Sequence, residues 1–221
     1  AEVEAAIKPD DPHFARTRLL ALENTITGRA IPRSYFEKAL ELAGKKNLSA
    51  HLDGARLFNA AVKLEIPAKD LCKGFDSVSV CLSKGLGAPA GTVLLGNPTL
   101  IAKARRARKI LGGAMRQAGL IAAAGIYALE HNIERLAEDH ANAERLANGL
   151  RDSGYEVEGP HTNMVFVRIS SEKVSALKEI LDKEQILVLP GARLRLVTHL
   201  DVDAAGIDRA IAAFRSFAAK N

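Results

Sequence analysis

An α/β protein, with helices covering a mostly parallel sheet and a smaller α+β unit after it, is what this sequence predicts, on three observations. Over roughly the first hundred residues short apolar strands alternate with helical stretches, the pattern of a helix-covered parallel sheet. Beyond Gly154 the texture changes to short strand–helix–strand units. The 221 residues are 48% apolar and 26% charged, near the soluble globular average and enough for a real core. Disordered, collagenous and coiled-coil chains are thereby excluded.

The elements follow in order. Residues 1–7 (AEVEAAI) read as the middle of an amphipathic helix with no cap before Ala1, stopped at Lys8-Pro9 because the residue before a proline is driven out of helical geometry. Either a trimmed junction or a chain lacking its natural front end fits that start. Arg18–Leu22 reads as a buried strand, Thr25–Gly28 as a turn, and Ser34–Lys46 as a helix opened by Pro32. Leu48–Leu52 is a strand ending at Asp53. Leu57–Lys63 and Pro67–Cys72 are helices, and Asp76–Leu82 is a strand ending at Ser83-Lys84. Thr92–Leu95 has the look of a short edge strand. A basic helix runs from Pro98 to Ile110, as far as the Gly112-Gly113 break. Met115–Leu150 reads as one long helix with Leu129, Ile133, Leu136, Leu146 and Leu150 on a single stripe. Then come strand Met164–Ile169, helix Ser171–Lys183, strand Arg193–Val197 and helix Ala204–Ala218. The predicted division is residues 1–114 in a large unit, 115–150 as connecting helix and 151–221 as the small unit.

The composition bounds function as well. No apolar run reaches the roughly 18 to 20 residues of a membrane span. Lys and Arg (31) exceed Asp and Glu (26) by a margin that suits small anions without demanding nucleic acid. Lys103, Arg105, Arg106, Arg108 and Lys109 crowd one helix, but no aromatics interleave, so a solvated or interface-facing helix is the reading. Cys72 and Cys81 form no disulfide framework, which favours a reducing cytoplasm. The six histidines (His13, His51, His131, His140, His161, His199) show no metal-ligand spacing, with each other or with the cysteines.

Two segments carry chemistry. In His51-Leu52-Asp53-Gly54-Ala55-Arg56 an acid ends a strand, where α/β folds bind ligands. In Ser83-Lys84-Gly85-Leu86-Gly87-Ala88-Pro89-Ala90-Gly91 a lysine follows a strand, with glycines that let a ligand approach the backbone. Lys84 lies about one βαβ unit beyond Asp53, which could set acid and amine on neighbouring strand ends. That pairing serves a pyridine cofactor: the amine takes the aldehyde and the carboxylate keeps the ring nitrogen protonated. A helix-capping Asp and a phosphate-contacting Lys are equally ordinary readings of the spacing. His51 shares a strand face with Asp53 and is a possible partner for it. The glycine-rich segment is neither a Walker loop nor a dinucleotide fingerprint.

The two segments HLDGARLFNA and DSVSVCLSKGLGAPAG closely resemble the low-specificity L-threonine aldolases, and the likeness extends over LENT (22–25), GGAMRQAG (112–119), IAAAGIYAL (121–129), TNMVFVR (162–168) and RLVTHLDV (195–202). The resemblance implies a fold type I pyridoxal 5′-phosphate enzyme of aspartate-aminotransferase fold, the large part belonging to a three-layer α/β/α domain. It implies retro-aldol cleavage of threonine or allo-threonine to glycine and acetaldehyde. By it Lys84 is the lysine that joins the cofactor, Asp53 the partner of the pyridine nitrogen, and Arg56 a neighbour of the 3-oxygen. Arg195 is the arginine that holds the substrate carboxylate, against the alternative of a surface arginine paired with Arg193 along the strand. Ser83 either bonds the phosphate or caps the turn, and Arg116 is a possible phosphate contact across a subunit boundary.

A homodimer or homotetramer is expected on the same ground, with an amino acid as substrate and neither nucleic acid nor a membrane as partner. Ile26-Thr27-Gly28 departs from the family's His-Asn-Gly, which puts a substrate contact from that loop in doubt. The family's N-terminal third, with its phosphate loop and stacking histidine, has no counterpart here, and no histidine of this sequence is assigned to it. Two rival readings remain: an inactive folding or oligomerisation module, and another fold type I activity such as a transaminase or β-eliminating lyase.

Overall fold

The computed structural model describes residues 2–219; Ala1, Lys220 and Asn221, and with them the ends of the sequence-predicted first helix and last unit, lie outside the described residues. Four strands, β1 (Leu19–Glu23), β2 (Ser49–Asp53), β3 (Ser77–Cys81) and β4 (Thr92–Gly96), form one sheet in that order. The first three are parallel and β4 returns antiparallel along β3. A short helix α1 (Glu2–Ala6) precedes the sheet; α2 (Arg33–Lys45) joins β1 to β2, and α3 (Leu57–Leu64) with α4 (Ala68–Leu71) joins β2 to β3. Period-two patterning decides which face they cover. Leu52, Val78 and Val80 turn inward with Phe36, Leu57, Ala60 and Leu71 to form a core, while Asp53 and Glu23 stand on the opposite, exposed side.

The second sheet is β5 (Val157–His161), β6 (Met164–Arg168) and β7 (Arg193–Val197), antiparallel throughout. Between the sheets run α5 (Pro98–Ile110), α6 (Gly119–His131) and α7 (Leu136–Asp152). After β6 come a single 3-10 turn at Ser171–Lys173 and α8 (Val174–Lys183); α9 (Ala204–Ala218) closes the chain. Val165, Val167, Leu194 and Leu196 pack with Leu146, Leu150, Leu177, Leu181, Ile211 and Phe214 into a second core. Among the described residues no helix is long and apolar enough to cross a membrane.

Three sequence expectations need correction. Met115–Leu150 is two helices, because the chain breaks at 132–135, where Asn132 ends α6 and turns its side chain to another segment. The apolar stripe divides with it: Leu136 joins the core under the Lys84 loop, Leu146 and Leu150 join that of the second sheet, and Leu129 remains exposed. Strand β5 went unread, since Gly159 and Pro160 are residues that weaken or end strands and the register shifts between Glu158 and His161. The strand–helix–strand reading beyond Gly154 implied parallel pairing, yet β6 and β7 are antiparallel.

Candidate functional site

The carboxyl ends of β2 and β3 set the stage. Asp53 is the last residue of β2, and Gly54 bends the chain away by donating its N–H to Ser79 O at 2.7 Å. The bend needs glycine: a Cβ there would lie 2.8 Å from that same oxygen. Asp53 Oδ1 accepts the Ala55 N–H at 2.9 Å, which fixes the carboxylate at the head of α3. Lys84 follows β3 in a closed loop in which Ala88 N donates to Leu82 O (3.0 Å) and Gly87 N to Lys84 O (2.9 Å). Leu82, Leu86 and Ala88 bury their side chains against Ala128 and Leu136, so the loop is anchored from below and Lys84 is left exposed. Parallel pairing of β2 with β3 therefore puts the acid and the amine at the same edge of the sheet.

Arg56 and Arg195 meet at this edge from different sheets. Arg56 stands at the N-cap of α3, and burial first, then the charge of Arg195, lowers its pKa, with Glu23, Cys81 and Asp53 acting in the opposite direction. Arg195 on β7 makes no hydrogen bond or ion pair among the described residues. Arg193, two residues earlier on the strand, is fully engaged: it bonds Glu158 at 2.8 Å and lies over the Phe166 ring at 4.0 Å. The pair thus separates into a structural arginine and one available to a ligand. Two neighbouring guanidiniums favour an anion, and Arg binds a carboxylate through two parallel N–H groups.

Other residues fall elsewhere. Ser83 Oγ lies 3.4 Å from Cys81 Sγ, within reach of the Lys84 turn. Arg116 is exposed on the α5–α6 connection and, among the described residues, makes no hydrogen bond or ion pair with Lys84, Asp53, Arg56 or Arg195. His51 does not bond Asp53: its Nδ1 is 2.8 Å from Ser77 Oγ, because Ser77 is its partner across the ladder. The departing loop holds the two sheets together. Gly28 O accepts from Thr162 Oγ1 at 2.8 Å, and Arg29 bonds Glu158 at 2.9 Å. Residues that the sequence reading passed over support the Lys84 loop: Asn59 abuts Gly85 and donates to His140 Nε2 (3.2 Å), and Asn132 donates to Leu86 O (2.8 Å). For Asn59 a polar side chain in an otherwise apolar helical run was the available signal; Asn132, among charged neighbours, offered none.

The family profile of the beta-eliminating lyases matches residues 1–172. The chain belongs to that family. It is 48% identical to the low specificity L-threonine aldolase of Escherichia coli K12 over 99% of this chain and 66% of that protein. Among solved structures, the Leishmania major threonine aldolase superposes with a TM-score of 0.81 at 18% identity, over 98% of this chain and 66% of that one. A structure of SPT with a PLP internal aldimine does so with a TM-score of 0.69 at 18% identity, over 93% and 56%. The fold is accordingly that of the type I pyridoxal-phosphate enzymes, and this beta-eliminating lyase family member spans 66% of the length of the E. coli relative it matches.

The donor set suits such a cofactor. A carboxylate with one oxygen fixed by a backbone N–H and the other without a hydrogen bond among the described residues can face a ring N–H. An exposed amine at a glycine-flanked turn can take an aldehyde, and Arg195 can take a carboxylate.

Proposed function

We propose that the protein of which this chain is part cleaves L-threonine or L-allo-threonine by a retro-aldol reaction to glycine and acetaldehyde, with pyridoxal 5′-phosphate as cofactor. The observation that carries this reading is that Asp53 and Lys84 follow neighbouring parallel strands to one edge of the sheet, where Arg56, at the head of α3, feels the charge of Arg195. When bound, the cofactor supplies an electron sink conjugated to the substrate's α-carbon. Lys84 would hold its aldehyde carbon, and Asp53 would keep a proton on its ring nitrogen. Arg56 would sit beside its 3-oxygen. Arg195 binds the substrate α-carboxylate and so fixes rotation about the bond to the α-carbon. That orientation would decide which bond to the α-carbon is presented for cleavage.

Ser83 and Arg116 are the proposed phosphate contacts, Arg116 from a neighbouring subunit of a homodimer or homotetramer. Its place on an exposed connection flanked by the exposed Leu111, Met115 and Leu120 supports that arrangement. A cytoplasmic setting is proposed from the two free thiols.

The test is Lys84→Ala in the full-length protein. Absorbance near ~420 nm, a general property of the lysine-bound cofactor, disappears together with acetaldehyde release. Absorbance that survives the substitution refutes the assignment, and a keto acid formed from threonine in place of acetaldehyde would favour a transaminase.

A further inference from the structure

We propose that Asn132 is a positioning residue for the Lys84 amine, acting through the Leu86 carbonyl; this rests on the reading that Lys84 takes the cofactor's aldehyde. Lys84 has a long flexible arm, so its placement depends on how firmly its turn is held. The turn is pinned on three sides. Leu86 is buried, and its carbonyl, which the turn's own hydrogen bonds do not use, accepts the Asn132 side-chain N–H at 2.8 Å. A Cβ on Gly85 would lie 2.8 Å from Leu136 Cδ2, and one on Gly87, which has φ +74°, would lie 2.6 Å from Leu200 Cδ2.

Asn132 and Leu136 flank the α6–α7 break, and Leu200 lies five residues beyond Arg195. The turn that carries the amine is thereby registered against the strand that carries the carboxylate-binding arginine. Asparagine at a helix end often serves a left-handed backbone. Here Asn132 has φ −107° and ψ 0°, a conformation open to any residue. What singles out Asn at this position is its donor, which reaches across 46 residues of sequence.

Pyridoxal phosphate itself is the probe, with borohydride to fix it to the lysines it has reached and peptide mapping to count them, on the full-length protein. Asn132→Asp keeps the shape and removes the donor. Leu181→Ala, fully buried in the core of the second sheet and away from the turn, controls for lost stability. Asn132→Asp should lower labelling of Lys84 about tenfold, the scale of one buried carbonyl left without its donor. Hydrogen exchange at the Gly87 amide should speed up by a similar factor, while Leu181→Ala leaves both unchanged. Labelling of Asn132→Asp at the unsubstituted level overturns the proposal, as does an equal loss in Leu181→Ala. Should Asn132→Asp fail to fold, Asn132→Ser, with a donor on a shorter arm, must show a smaller loss in the same direction or the proposal falls. Absence of any label on Lys84 in the unsubstituted protein refutes the underlying function instead, and this inference with it.

Discussion

Acidification from pH 7 to 5 should weaken the fold through one half-buried imidazole. His140 on α7 accepts the Asn59 amide at its Nε2, a bond that only an unprotonated Nε2 can make. Burial, assisted by the charge of Lys63, lowers its pKa from 6.5 to about 4. The unfolded chain takes up a proton at this ring near 6.5 and the folded one only near 4, so between those values the unfolded state binds more protons. Stability therefore falls as pH falls through that window. At about 1.4 kcal/mol per pKa unit the full loss is roughly 3 kcal/mol, of which about 2 kcal/mol has developed by pH 5. Urea unfolding at the two pH values measures it against His140→Gln, which stays neutral and keeps an acceptor for Asn59. Carboxylates held below their ordinary range, such as Glu158 beside Arg193 and Arg29, also lose their contribution in acid, but equally in both proteins. The unsubstituted chain should lose about 2 kcal/mol more than the variant over this interval. Parallel pH profiles for the two proteins would refute the argument.

Two further substitutions probe the second core. Gly149→Ala drives a methyl into Ile211, three of whose side-chain carbons would lie 2.5–2.8 Å away; the overpacking should cost roughly 1–3 kcal/mol in urea unfolding. Tyr155→Phe removes the hydroxyl that donates to Phe214 O at 2.8 Å and should cost about 1–2 kcal/mol. Burial pushes that phenol up to about 12, so an ultraviolet titration of the variant should lack a step in that region.

What the sequence made legible depended on range. Asp53 and Lys84 stand out because strand patterning and glycines beside each are local signals, and β2–β3 pairing follows from the crossover between them. The break at Asn132 was illegible for the opposite reason: helical spacing runs through it unbroken, and the bond its side chain makes is to Leu86, far away in sequence. Strand β5 was hidden because pairing with β6 tolerates Gly159 and Pro160 only by shifting register, which no propensity records. Arg193 and Arg195 could not be told apart by alternation, since they share a strand face. Phe166 and Glu158, both brought in by tertiary pairing, separate them.

The approach of Arg56 to Arg195 also shows which contacts must hold the sheets in register. Two guanidiniums of like charge repel, and burial makes the repulsion stronger by lowering the local dielectric. Glu23 and Asp53 offset part of the charge felt by Arg56, but the arginine pair itself cannot draw the sheets together. The closure has to come from neutral or oppositely charged contacts beside them. Thr162 on Gly28, Leu200 against Gly87 and Arg29 with Glu158 supply these, and at both glycines φ is positive and a Cβ would strike His161 of β5 or Leu200 just beyond β7. On the proposal that Arg195 holds the substrate carboxylate, that charge would offset the repulsion between the two guanidiniums. On that proposal ligand binding would be coupled to the register of the two sheets, and a side chain added at position 28 or 87 should weaken carboxylate binding without touching either arginine.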